Sequence, residues 1–198
     1  MRYSITKPRA SAIERGFTIV ELLITIAVLG VLTSITVPSL GAFLKNSGLR
    51  GTVYELTGAI ALARSEAIKR GSKVILCRSG NPHAVVPACG GNAKDWSTGW
   101  LVFVAEDGNL VFDVGTDVLL GIGEATPNGI ALQSNSIASD SLTYQTNGST
   151  TGAATATFAV CDSRGPSYGK QINVTRVGRP DLISGSITTP LASCNPSS

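Results

Sequence analysis

Residues 17–37, FTIVELLITIAVLGVLTSITV, form a continuous apolar run interrupted by one charge, Glu21. At about 1.5 Å per residue a helix over this run is roughly 31 Å long, the thickness of a bilayer core. A secretory signal would have a shorter apolar stretch with a small-x-small cleavage site beyond it. This run is instead succeeded by Pro38-Ser39-Leu40-Gly41. Arg2, Lys7, Arg9 and Arg15 precede the run, which keeps the N-terminus cytoplasmic and exports the remainder. The run reads as a single-pass membrane anchor, with the C-terminal part exported.

The net charge of +3 belongs to the segment ahead of the anchor. Residues 1–16 hold those four cations against Glu14, and the rest of the chain carries twelve basic and twelve acidic residues. A domain-wide basic footprint for nucleic acid is therefore absent. The four cysteines, Cys77, Cys89, Cys161 and Cys194, contain no Cys-x-x-Cys pair, and the single histidine, His83, does not complete a typical zinc set. Outside the cytoplasm two disulfides are their simplest use. Sequence order favours Cys77–Cys89 with Cys161–Cys194, among three connectivities.

Glu21 is costly inside an apolar span. It either snorkels to the nearby interface or has a partner. Its neighbours carry a resemblance. Gly16-Phe17-Thr18-Ile19-Val20-Glu21 and the apolar run after it resemble the class III signal of type IV prepilins and type II secretion pseudopilins. The resemblance implies a leader over residues 1–16, cut between Gly16 and Phe17 by a prepilin peptidase that methylates the new N-terminal Phe17. It also implies an assembly role for Glu21, whose carboxylate would pair with the N-terminal ammonium of a neighbouring subunit. A buried charge without that partner costs several kcal/mol, so the pairing would select register.

Beyond the anchor, Leu49, Val53, Leu56, Ile60, Ala63 and Ala67 recur at steps of four and three, one stripe of a helix. Arg50, Glu55, Arg64, Glu66 and Lys69 lie off it. Arg70-Gly71 predicts the helix end, with glycine as its stop. Pro38 disfavours helical torsions at Val37, so a kink or melted turn is expected over Pro38–Gly41. One long helix over 17–70, apolar all round in its first half and amphipathic in its second, is the pilin arrangement.

From residue 71 to 198 the pattern turns to short runs of period two. Strands are expected at Lys73–Arg78, Gly99–Ala105, Leu110–Asp113, Val118–Gly121, Ile130–Gln133, Leu142–Gln145, Thr155–Cys161, Gln171–Arg176 and Asp181–Ser184. Asp107-Gly108-Asn109 signals a hairpin, and Ser79–Asp95 is a long loop. Ala63-Arg64-Ser65-Glu66-Ala67-Ile68 ahead of Val74-Ile75-Leu76-Cys77, and Trp96-Ser97-Thr98-Gly99-Trp100-Leu101-Val102-Phe103, resemble pseudopilins and minor pilins of the GspH/FimT type. The resemblance covers roughly residues 16–182 and is weak between Gly115 and Thr151. The implied fold is α+β and type IV pilin-like, a long N-terminal helix packed on an antiparallel β-sheet domain.

The implied role is structural: a subunit of a type IV pilus or a type II secretion pseudopilus, with no reaction, no cofactor and no metal. Its implied partners are the prepilin peptidase, other minor pilins or pseudopilins and the inner-membrane assembly platform. DNA capture is the alternative. Some minor pilins of this family that bind DNA have a Gly-Arg-x-Arg motif, and this chain keeps Gly178-Arg179 but has Asp181 in place of the second arginine. An acid there repels phosphate, while Arg164, Lys170, Arg176 and Arg179 offer a small basic face. Trp96 and Trp100 read as packing residues. Nothing in the sequence sets a nucleophile or carboxylate beside His83. Glu106, Asp107, Asn109 and Asp113 supply oxygen ligands without an EF-hand spacing, and read as a charged hairpin tip.

Overall fold

The computed structural model describes residues 16–135, 138, 140–152, 154–184 and 187, with the side chains of 35–39 outside that set. The element order is α1 (Ile19–Arg70), then β1 (Val74–Arg78), β2 (Trp100–Val104), β3 (Val118–Gly123), β4 (Ile130–Ser134), β5 (Ser141–Tyr144), β6 (Ala156–Asp162), a short 3-10 turn (Pro166–Tyr168), β7 (Lys170–Val174) and β8 (Pro180–Ser184). The chain divides into two compact units, one up to Phe43 and one from Leu44 onward.

Residues 38–41 are helical within α1, so the melted turn expected there is not formed. Proline forgoes a single main-chain bond, and the turns on either side keep the rest of the ladder. The helix ends where expected. Gly71 adopts φ +65°, and its N–H donates to the Ala67 carbonyl at 3.0 Å. A left-handed residue at this point satisfies an orphan carbonyl that a branched residue would satisfy only under strain.

In the second unit every position of the stripe from Leu49 to Ala67 is 2% exposed or less. It is enclosed by residues of two four-stranded antiparallel sheets, ordered β3-β2-β1-β5 and β4-β6-β7-β8. From the first come Val74, Leu76, Trp100, Val102, Val104, Leu142 and Tyr144; from the second Leu132, Phe158, Val160, Ile172 and Val174. Trp96 locks the pair, set edge-on to Phe158 at 5.1 Å, while its Nε1 donates to Ser134 Oγ and the Ala138 carbonyl. Both tryptophans are core residues, as expected.

β1 and β2 are buried on both faces. Their outer side chains, Ile75, Cys77, Leu101 and Phe103, lie under Cys89 and Phe112 from two loops. Eight of the nine expected strands form, within two residues at each end. The ninth, Leu110–Asp113, does not. Its main chain is taken by side chains instead: Asn109 Oδ1 accepts from the Val111 N–H and Asp117 Oδ2 from the Asp113 N–H. Such local bonds compete with a ladder. The tight hairpin expected at Asp107-Gly108-Asn109 is therefore the start of a longer loop between β2 and β3.

Candidate functional site

The start of α1 is set by its own side chains. Thr18 Oγ1 accepts the Glu21 N–H at 3.2 Å, and the Thr18 carbonyl accepts the Leu22 N–H at 3.1 Å. Thr18 is thus the N-cap and Glu21 the third helical residue, in the first turn, where the helix dipole favours a carboxylate. The sequence carries this signal as Thr-x-x-Glu, a capping-box spacing, which a reading of Glu21 as a charge in an apolar span passes over. Gly16 and Phe17 lie just ahead of the cap, with Phe17 83% exposed.

Every described residue from Gly16 to Ser34 is exposed, including Leu22, Leu23, Ile26 and Leu29. The hydroxyls within the run are satisfied by the helix itself. Thr25 donates to the Leu22 carbonyl, Thr33 to Leu29 and Gly30, and Ser34 to Val31. Such back-bonding lets Thr and Ser enter an apolar environment without orphaned donors. Among the described residues of α1 up to Ser34, Glu21 is left as the polar side chain without a bond inside the helix. No helix over the described residues is long and apolar enough to cross a membrane. The span read from sequence, 17–37, ends among residues 35–39, whose side chains lie outside the described set.

Cys77 and Cys89 form a disulfide, pinning the loop after β1. Cys161 is also disulfide-bonded; its expected partner, Cys194, lies outside the described residues.

The four cations expected to form one basic face are split into two pairs. Lys170 and Arg164 sit at one end of β7, whereas Arg176 and Arg179 sit beyond the other end, roughly 20 Å away at about 3.3 Å per residue. Arg164 is engaged: it bonds Asp162 through Nε and Nη2, and its Nη2 also meets Asn46 Oδ1 at 2.8 Å. Burial raises the Asp162 pKa, but the Arg164 side chain and N–H outweigh it and hold the carboxyl below its ordinary value. Gly178 is required by the turn rather than by a ligand. Its φ is +79°, a side chain there would strike the Gly148 carbonyl, and its own carbonyl accepts from the buried Tyr144 hydroxyl. Burial pushes the Tyr144 pKa up.

Two smaller expectations need correction. A carboxylate does stand beside His83: Glu124 Oε2 lies 3.0 Å from Nε2, both groups exposed. An exposed pair of this kind contributes little. The oxygens of Asp107, Asp113 and Asp117 converge within 4.8 Å, a set that substitutes Asp117 for Glu106. These carboxylates already hold the loop, with Asp117 accepting from the Glu106 and Asp113 N–H groups and Asp107 from Asn109.

Residues 52–178 match the family described as Type II transport protein GspH, and residues 12–37 match the Prokaryotic N-terminal methylation motif. Two crystal structures of the type IV minor pilin FimU of Pseudomonas aeruginosa strain PAO1 are similar in fold. In space group P65 the match has 20% identity and a TM-score of 0.51, covering 69% of this chain and 93% of the other. In space group P21 it has 19% identity and a TM-score of 0.52, covering 72% and 92%. No curated relative matches the chain.

Proposed function

Because the chain belongs to the GspH family of type II transport proteins, we propose that it is a minor pilin or pseudopilin, cut between Gly16 and Phe17 and then built into a filament or its tip complex. The observation that carries this is the junction itself: a methylation motif over 12–37, an exposed Gly16-Phe17, and a capped helix with Glu21 in its first turn. Cleavage there would create an ammonium on Phe17, methylated afterwards, one helical turn from a carboxylate that has no bond within its helix. In assembly each Glu21 would take the N-terminus of a neighbouring subunit, which neutralises two charges that low dielectric would otherwise penalise.

Before assembly, the apolar surface from Ile19 to Ser34 would lie in the inner membrane, with the N-terminus cytoplasmic and the β domain periplasmic. Afterwards the same surface would be covered by the helices of other subunits. The partners of this pathway are the prepilin peptidase, the inner-membrane assembly platform and other minor pilins or pseudopilins. The disulfide-bonded cysteines suit an oxidising compartment.

Mass spectrometry of the mature N-terminus tests the reading. The expected species begins at Phe17 and carries one methyl group. An intact leader, or a cut at another bond, would remove its basis. The filament is either a type IV pilus or a type II secretion pseudopilus. Deletion of the gene, scored for pilus assembly and for export of folded proteins, separates the two.

A further inference from the structure

Two four-stranded sheets have four edges, and a bare edge is a template for another strand. Three of the four are closed or guarded. Along β4 the loop before β2 supplies main-chain bonds, Trp96 N–H to the Leu132 carbonyl and Ser134 N–H to the Lys94 carbonyl, with Ser97 Oγ accepting from Leu132. Along β5 the Thr151 N–H donates to Thr143, beside a bridge between Tyr144 and Thr150. β8 opens with Pro180 and exposes Asp181, two devices that discourage pairing.

β3 has none of these. Its sequence is Val-Leu-Leu-Gly-Ile-Gly, and among the described residues it pairs with β2 alone and nothing bonds its outer main chain. Val118, Leu119 and Ile122 are each more than a third exposed. Gly121 and Gly123 carry no side chain, so a groove of about 180 Å³ opens between β3 and α1, floored by Trp100 and walled by Ala59 and Leu62, while the Ile122 side chain lies on the other face of β3, opposite Leu101. Gly123 lies directly on the Trp100 indole, where any β-carbon would collide. The rim is acidic. Glu55 Oε1 accepts the Glu124 N–H at 2.9 Å, the exposed Glu124 carboxylate meets His83 Nε2 at 3.0 Å through Oε2, and no lysine or arginine lines the groove.

We propose that β3 is a docking edge for an extended segment of another protein, one that adds a strand beside β3, places apolar side chains against Ile122 and the groove, and sets a lysine or arginine at Glu55 and Glu124. Main-chain bonds would supply affinity, and the groove and acids selectivity. Charge decides against a second copy of this chain as occupant. β3 is flanked by Asp117 and Glu124, so antiparallel pairing of two β3 strands would set acid opposite acid, which is unfavourable. This goes beyond the filament-subunit reading and stands or falls without it, since leader cleavage and the helical run play no part.

The test uses the full chain in detergent micelles and a capped peptide of alternating valine and threonine with a lysine at each end, alongside the same peptide ending in glutamates. Expected is saturable binding of the lysine peptide with slowed amide exchange confined to 118–123. Glu124→Lys should weaken the lysine peptide roughly tenfold and favour the glutamate one. Ile122→Lys, which puts a charge on the edge, should abolish both. Glu124→Lys sits on an exposed side chain and keeps the test valid if Ile122→Lys misfolds. No protection at 118–123 at millimolar peptide, protection on another strand, equal binding of the two peptides, or a dimer that protects β3 without peptide would each overturn the proposal.

Discussion

Between Ile19 and Ser34 the helix presents large apolar side chains on every face, and all of them are exposed. Between Leu49 and Ala67 the same helix confines them to one stripe, and the stripe is buried. A single stripe is what a helix needs to close a core that its own chain supplies. Apolar residues on all sides exceed any use inside the chain, since the second unit already encloses its stripe with two sheets. That surplus is written for surroundings made of lipid or of other subunits. At about 1.5 kcal/mol or more per large side chain removed from water, the first segment is a strong anchor for whichever of the two covers it.

The comparison breaks most sharply on truncation of the stripe. Leu56→Ala or Ile60→Ala removes a side chain with no exposure at all, and should destabilise the domain by about 3 kcal/mol or more. Ile26→Ala, in the exposed run, should leave domain unfolding within about 0.5 kcal/mol of the native chain. Urea unfolding followed by tryptophan fluorescence measures both, because Trp96 and Trp100 report the core. Equal losses at Leu56 and Ile26 would mean that the two segments are not distinct in purpose.

Next in size is the disulfide. Cys77→Ser with Cys89→Ser frees a loop closed over a sequence separation of 12, and should cost about 3 kcal/mol in the same unfolding assay. The loss should fall on the domain and leave the anchor's behaviour in membranes unchanged.

How much of the molecule is legible in its sequence depends on what holds each element. The stripe, the stop at Gly71 and eight strands are readable from periodicity and glycine, because local pattern and tertiary packing agree there. Leu110–Asp113 looks like a strand by composition, but Asn109 and Asp117 seize its N–H groups, and side-chain bonding of that kind has no period to detect. The division into two sheets, the separation of Lys170 from Arg179 and the meeting of His83 with Glu124 all depend on strand order. Sequence spacing does not encode it. The capping role of Thr18 is readable from its spacing to Glu21, while the bare edge of β3 emerges only once the other three edges are seen to be closed or guarded.

A smaller effect is expected where the start of the second unit meets β6. Asp162, Arg164 and Asn46 form one hydrogen-bonded set. Asp162→Asn should cost about 1–3 kcal/mol, since it removes a charged partner from a mostly buried pair. The native pair also carries a pH dependence. The Asp162 pKa is lower in the folded than in the unfolded chain, so its stabilisation is complete above the ordinary carboxylate range and is lost as pH falls through the folded value. Acid unfolding of Asp162→Asn should therefore show a shallower decline than the native chain below about pH 4. An identical decline would place the acid sensitivity elsewhere.

The smallest effect on stability, and the most telling for the comparison, is expected at Glu21. Its carboxylate makes no bond within the helix, and it lies far along the chain from the core. Glu21→Ala should leave domain unfolding unchanged and retain the protein in the membrane fraction, since the run becomes more apolar. If Glu21 pairs with a neighbour's N-terminus as proposed, incorporation into sheared filaments should fall severalfold or more. Glu21→Gln separates charge from shape: it keeps the helix start and the side-chain length and removes only the negative charge. If Gln restores incorporation, the residue acts through hydrogen bonding or packing and the ion-pair account is wrong. If Gln fails as Ala does, while both proteins unfold like the native chain, the first segment is specified by what it meets outside its own chain.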